Sequence, residues 1–236
     1  MFDPKRLLDQ LLGSKIPGTG ATVRDKAGQA GQLAKDNPLA TGALAAMLLG
    51  TRGGRALTGA ALRLGGLAAI SGLAYKAYQN YQKGQSPEKA AAEPELLPPP
   101  EDTAFHPAQA PQGEDEFALS LIRAMIAAAN ADGHIDEEER KRISDRLDLS
   151  GIDRDAGAFL NAEMERLLDL DALVASARTE AQKVELYTVS RLTIEPDTPA
   201  ERDYLDRLAS RLNLPESLID HVEATVSAAK ETGPSA

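Results

Sequence analysis

The sequence predicts an all-α protein, and three observations carry that prediction. From Asp115 onward apolar residues recur at helical spacing, two acidic turns are followed by helix-capping pairs, and no alternating apolar and polar run marks a strand. The chain has 236 residues, enough for one domain with a sizeable appendage. Its charge is unevenly divided. Residues 1–89 hold 12 Lys and Arg against 5 acids, whereas residues 90–236 hold 14 against 31. A uniform globule rarely shows such a split. The expected organisation therefore has four parts: a polar lead-in at 1–37, a Gly/Ala-rich apolar segment at 38–83, a disordered Pro-rich linker at 84–114 and an acidic helical domain at 115–236.

The lead-in carries Leu7, Leu8, Leu11 and Leu12 at a spacing that suits a short amphipathic helix, ended by Gly13 and Pro17. Such a helix can rest on a membrane or a partner, or stay a loosely ordered lead-in. Next, NPLATGALAAMLLGT (Asn37–Thr51) and LGGLAAISGLAY (Leu64–Tyr75) are free of charge. A spanning helix needs about 20 mostly apolar residues. The first run is short of that. The second, extended back to Ala56, reaches it only with Arg63 inside, at a cost of about 2.5–3.5 kcal/mol near mid-membrane. Gly42, Ala46 and Gly50, then Gly65, Gly66, Ala69 and Gly72, are small residues that let helices approach closely in lipid. Tyr75, Tyr78 and Tyr81 with Lys76 and Lys83 read as an interfacial edge. The expectation is membrane association through residues 38–83, by spanning the bilayer or lying on it; a soluble helical hairpin is the alternative. Prolines from Pro87 to Pro111 then forbid regular helix in the linker, where His106 has no expected role.

The acidic domain reads as six or seven helices. Phe117, Leu121 and Met125, with Ala118, Ile122 and Ile126, form the first stripe. Ile143 and Leu147 mark a second, and Phe159, Leu160, Met164, Leu167 and Leu168 a third. Leu173, Val174, Ala177, Ala181, Val184 and Thr188 follow in a stretch with a break near Thr179. Tyr204, Leu205, Leu208 and Leu212 mark another, and Leu218, Ile219, Val222 and Val226 the last. Asp136 with Glu139, and Thr198 with Glu201 around Pro199, have the spacing of capping boxes. The two capped turns belong to a faint internal duplication of helix, acidic turn and helix.

The turn ADGHIDEEER (Ala131–Arg140) holds the candidate metal ligands Asp132, Asp136 and Glu139. Hard cations such as Ca²⁺, Mg²⁺ or Mn²⁺ take several oxygens, and an Asp-Gly turn can fold the first acid back over the next helix start. An EF-hand is excluded, because Ile135 and Lys141 stand where its glycine and bidentate glutamate belong. Helix capping by Asp136 and dipole complementation by Glu137 and Glu138 explain the same acids without any ion. Both readings stay open. His134 reads as a turn residue and His221 as a solvent-facing residue able to pair with a carboxylate. The chain has no Cys, which excludes thiolate sites and disulfides. No nucleophile elbow or glycine-rich phosphate loop is present, and the acidic half repels nucleic acid. No enzymatic activity is expected.

LIRAMIAAANADGHIDEEERKRI (Leu121–Ile143) resembles the first signature of tellurite-resistance protein B-like (TerB-like) domains, and with GLAAISGLAYKAYQNYQ (Gly66–Gln82) the whole chain resembles their domain-of-unknown-function 533 branch. The resemblance implies a C-terminal TerB-like helical bundle, an N-terminal membrane-associated segment, a bacterial inner-membrane location and divalent-metal binding through Asp132, Asp136 and Glu139, with a link to tellurite and other stress. The second turn, with Glu195 and Asp197 around Pro196, departs from the pattern. The expected function is a non-enzymatic, membrane-associated module with its acidic domain in the cytoplasm, docking a protein partner or sensing a divalent cation, with self-association into a homo-oligomer open to it. The alternative is a soluble, cytoplasmic divalent-metal-binding or carboxylate-dependent hydrolytic protein.

Overall fold

The computed structural model describes residues 3–12, 66–87, 97–131, 154–166 and 169–231. Among them lie eight α-helices: α1 (Pro4–Leu11), α2 (Gly66–Gln82), α3 (Glu114–Ala129), α4 (Arg154–Glu165), α5 (Leu170–Ala175), α6 (Glu180–Thr193), α7 (Pro199–Leu212) and α8 (Glu216–Glu231). A 3-10 turn occupies Pro107–Gln109, and no described residue lies in a strand. The fold is all-α, as the periodicity predicts.

Helix boundaries follow the caps. Thr179 interrupts the long Ala-rich stretch: its Oγ1 accepts from the Gln182 N–H at 3.1 Å and opens α6. Asp169 opens α5 in the same way, accepting from the Ala172 N–H at 2.9 Å. At α7 the capping box is complete, since Glu201 N–H donates to Thr198 Oγ1 at 3.2 Å and Thr198 N–H donates to Glu201 Oε2 at 3.0 Å. That helix ends at Asn213 in the left-handed region (φ 55°), which asparagine tolerates better than most residues. The capping pair Asp136–Glu139 and the stripe at Ile143 and Leu147 lie outside the described residues.

Helices α3 and α6 are buried on nearly every face and pack on each other at the centre. Around this pair, α2 lies against α6 and α8, α1 against α3 and α2, and α7 against α5 and α6. One apolar core runs through all of them, taking in Leu8 of α1, Ile70 of α2, Phe105, Met125 of α3, Leu186 of α6 and Val222 of α8.

This arrangement departs from the expected division at residues 66–82 and 97–113. Gly66–Gln82 was assigned to the membrane segment at 38–83, yet Leu67, Ile70, Leu73, Ala74 and Ala77 are buried inside the bundle. The physical reason is that a helix free of charge up to Tyr75 and rich in small residues suits a protein interior as well as lipid. The tyrosines of the expected interfacial edge meet protein. Tyr75 and Tyr78 lie 5.6 and 5.3 Å from the Phe105 ring, and Tyr81 lies 6.0 Å from His221, centroid to centroid. Residues 97–113, expected as disordered linker, form turns that seat Phe105 in the core. Gln112 anchors them further by exchanging amide hydrogen bonds with Gln182 at 3.1 and 3.3 Å. Proline here shapes an ordered path rather than a loose strap. The leucines of α1 likewise belong to the core.

Helix α1 also caps α2. The Gly66 N–H donates to Asp9 Oδ1 at 2.5 Å, and burial raises the Asp9 carboxyl above its usual range while this hydrogen bond opposes the shift. A Cβ at Gly66 would lie 2.7 Å from Leu12 Cδ1 and 3.1 Å from the Leu8 carbonyl oxygen. Gly66→Ala is therefore expected to lower stability by about 1–3 kcal/mol through overpacking, although alanine is the better helix former. A lowered urea midpoint checks it.

Candidate functional site

The polar residues of α6 define the site. EAQKVELYTVSRLT reads as a surface helix, yet its Gln182, Glu185, Thr188, Ser190, Arg191 and Thr193 are all buried. Buried polar groups must find partners, and each of these does. Thr188 and Thr193 donate to the carbonyls four residues back, at 2.7 and 2.8 Å. Ser190 Oγ lies 3.3 Å from the Tyr204 hydroxyl, which donates to the Ala124 carbonyl at 3.4 Å. Burial pushes the Tyr204 hydroxyl up to about 12, with the Ser190 contact opposing the shift.

Glu185 faces α2. It is 2% exposed, and its Oε1 accepts a hydrogen bond from the hydroxyl of Ser71, which is fully buried. Burial drives the carboxyl up to about 8, because the low-dielectric interior penalises the charged form; the Ser71 hydrogen bond pulls modestly the other way. Burial therefore favours the neutral carboxylic acid over the carboxylate at this position.

At its C-terminal end α6 joins α8 through ions. Arg191 Nε donates to Glu223 Oε2 at 2.5 Å, and the Tyr187 hydroxyl donates to Glu223 Oε1 at 3.0 Å. Burial, then the Glu223 charge, raises the Tyr187 hydroxyl well above its usual range. Lys230 donates to the Arg191 and Ile194 carbonyls at 3.2 and 3.1 Å, satisfying two acceptors that the end of a helix leaves open, and to Glu195 Oε1 at 2.7 Å. Burial lowers its ammonium pKa while the Glu195 hydrogen bond opposes that shift. Arg191→Met combined with Glu223→Gln in a double-mutant cycle is expected to show a coupling of about 1–2 kcal/mol in urea unfolding, because each single change leaves a polar partner short of a bond.

His221 corrects the expectation of a solvent-facing residue. It is 5% exposed, with Nδ1 2.6 Å from the Ser217 carbonyl oxygen and Nε2 2.9 Å from the Gln85 carbonyl oxygen. A neutral imidazole donates from only one nitrogen. No carboxylate pairs with it in these contacts, and Glu223 is taken by Arg191 and Tyr187. The signal was present in the spacing, since position 221 lies three residues after Leu218 and four before Thr225, on the buried face. Glu185 shows the same signal, four residues after Ala181 and three before Thr188. His106 is a local cap, its Nδ1 accepting from the Ala108 N–H at 3.3 Å.

The candidate ligands Asp132, Asp136 and Glu139, and His134, lie outside the described residues. Among the described residues no group of three or more His, Asp or Glu side chains is placed to hold a metal ion. The second acidic turn is committed to structure: Glu195 binds Lys230, and Arg202 donates to the Pro196 and Asp197 carbonyls at 2.7 and 2.9 Å.

The described residues form an all-helical bundle with the Gly66–Gln82 helix packed into its core. The chain belongs to the family described as "Protein of unknown function (DUF533)", whose pattern matches residues 34–226. It is similar to an "Uncharacterized protein in ampR 5'region" of Yersinia enterocolitica, 28% identical over 118 residues, which is 50% of this chain and 85% of that protein. No solved structure matches it. Among the described residues no helix is long and apolar enough to cross a membrane.

Proposed function

We propose that the chain is a non-enzymatic docking module of the TerB-like kind, which presents an acidic helical face to a basic partner protein and is held near the bacterial inner membrane, on its cytoplasmic side, by residues 38–65. The disposition of charge on α7 and α8 carries this reading. Asp203, Asp206, Glu216 and Asp220 are exposed, whereas arginines near them turn to partners within the chain: Arg202 to the Pro196 and Asp197 carbonyls, Arg207 to the Asp203 carbonyl and Arg211 to Asp171. Free acids on a rigid surface favour a positively charged partner through complementary potential. Crosslinking of the full chain in cells, compared with Asp203→Lys/Asp206→Lys, tests it; partners retained equally by both forms count against this face.

The membrane part now rests on a shorter stretch. Leu12 and Gly66 lie against each other, so the two ends of the intervening stretch sit at one place, and any crossings of a bilayer between them would be even in number. Full-length protein wholly in the soluble fraction, unchanged by deleting residues 38–65, would end this part. The burial of α2 favours that outcome, in which the same docking module works in solution.

A divalent cation at Asp132, Asp136 and Glu139 would make docking ion-responsive. Asn130, at the end of α3 two residues before Asp132, supports this: its side-chain oxygen is buried without a hydrogen-bond partner among the described residues and is of the hard type such ions take. Calorimetric titration of the full chain with Ca²⁺, Mg²⁺ and Mn²⁺ is expected to give heat that Asp132→Ala/Asp136→Ala removes. No heat with any of the three leaves the acids as helix caps.

A further inference from the structure

We propose that Glu185 and Ser71 form a proton-dependent lock that keeps α2 seated in the bundle, so that ionising Glu185 raises the population in which α2 is unseated. The lock is a side-chain hydrogen bond across the α2–α6 interface, between residues 114 positions apart, and both ends are buried. Around it α2 contributes Ile70, Leu73 and Ala74 to the core, and α6 contributes Val184 and Leu186. A protonated carboxyl fits there. A carboxylate would be a charge in an apolar interior with a single recorded donor, a state that costs heavily unless a cation answers it.

Among the described residues, Lys183, Arg191, Arg123 and Lys230 on the surrounding elements bind other acids. On α6 itself Lys183 binds Glu180, while Arg191 and Tyr187 bind Glu223. From α3, Arg123 binds Glu163, and Glu116 pairs with Arg178 beside Asp115. From α8, Lys230 binds Glu195 and the end of α6, Glu223 is taken, His221 faces two carbonyls, and Glu216 and Asp220 are exposed. From α7, Tyr204 is bonded to Ala124, while Asp203, Asp206 and Arg207 are exposed. Helix α2 brings Lys76 and three tyrosines; Tyr75 and Tyr78 pack on Phe105, and Tyr81 on His221. Among the described residues the hydrogen bond to Glu185 comes from Ser71, and burial moves its titration up to about 8, where small changes in pH shift its occupancy.

The sign follows from proton binding. Seated, Glu185 holds its proton up to about 8; unseated and solvated, it returns toward 4.5. Between these values unseating releases one proton, so its equilibrium constant rises about tenfold per pH unit and levels off above the higher value. Hydrogen exchange followed by mass spectrometry on the full chain from pH 5 to pH 9, corrected for the intrinsic rate of each amide, reads this directly. Protection of Gly66–Gln82 is expected to lie below that of Pro199–Leu212, to fall about tenfold per unit up to pH 8 and then to flatten. Glu185→Gln is expected to make it pH-independent. Ser71→Ala removes a donor that favours the charged form, so its plateau should begin at higher pH, which keeps the proposal testable if Glu185→Gln folds poorly. Equal protection of α2 and α7 at every pH, or an unchanged slope in Glu185→Gln, overturns the lock.

Discussion

Leu8→Ala, more than fifty residues away from the next described helix, is expected to destabilise the whole molecule by about 2–5 kcal/mol. Leu8 is fully buried, and its neighbours Leu7, Leu11 and Leu12 are buried with it against α2 and α3. Deleting its isobutyl group removes apolar surface from the core and leaves a cavity that α1 can only partly close. In urea the midpoint should fall while the slope stays constant, because the unfolded chain exposes nearly the same surface. In a thermal scan the loss corresponds to about 2–4 °C for each kcal/mol in a chain of this size. The alternative, a loosely ordered lead-in, gives a change within about 0.5 kcal/mol. Lys5→Ala separates packing from charge: its ion pair with Glu114 is partly exposed on both sides, so its removal should cost less than about 1 kcal/mol.

The helices of the acidic half were legible because their signals are local. The Phe117, Leu121 and Met125 stripe, the Thr179 interruption and the Thr198–Glu201 box each depend on residues within a turn or two, and the structure places all three accordingly. The role of α2 was not legible in the same way. An uncharged first half, frequent glycine and alanine, and tyrosines at one end describe a membrane helix and a buried protein helix alike, since both meet apolar surroundings. What distinguishes them is distant in sequence: Glu185 for Ser71, Phe105 for Tyr75 and Tyr78, and Asp9 for the Gly66 N–H.

The buried acid was missed for a related reason. Glutamate is rarely fully buried, and in a chain with 36 acids each is read first as surface charge. Its position on the apolar phase of α6 outweighed its chemistry. The same holds for Arg191 and His221. In each case burial is made tolerable by a partner distant in sequence, so the sequence shows the phase but not the partner. The acidic turn at Asp132, Asp136 and Glu139 is the reverse case, where the chemistry is legible and the placement lies outside the described residues.

Glu185→Gln should therefore change the pH dependence of global stability as well as the seating of α2. Folded, burial pushes the acid up to about 8 from the 4.5 of a solvated glutamate. The folded chain holds a proton that the unfolded chain has lost between those values, so wild-type stability is fully present below about 4.5, declines by about 1.4 kcal/mol per unit and has lost its contribution above about 8. The full loss is roughly 4–5 kcal/mol, reduced if the folded state relieves the charge by unseating α2. Glutamine keeps an oxygen for the Ser71 hydroxyl and has no proton to release, so urea unfolding of the variant should lack this decline, leaving it more stable than wild type at pH 8.5. At pH 5, where both side chains are neutral, the two proteins should differ far less. Parallel stability curves from pH 5 to 8.5 would mean that Glu185 is already solvated in the native chain, and that α2 is held by its apolar face alone.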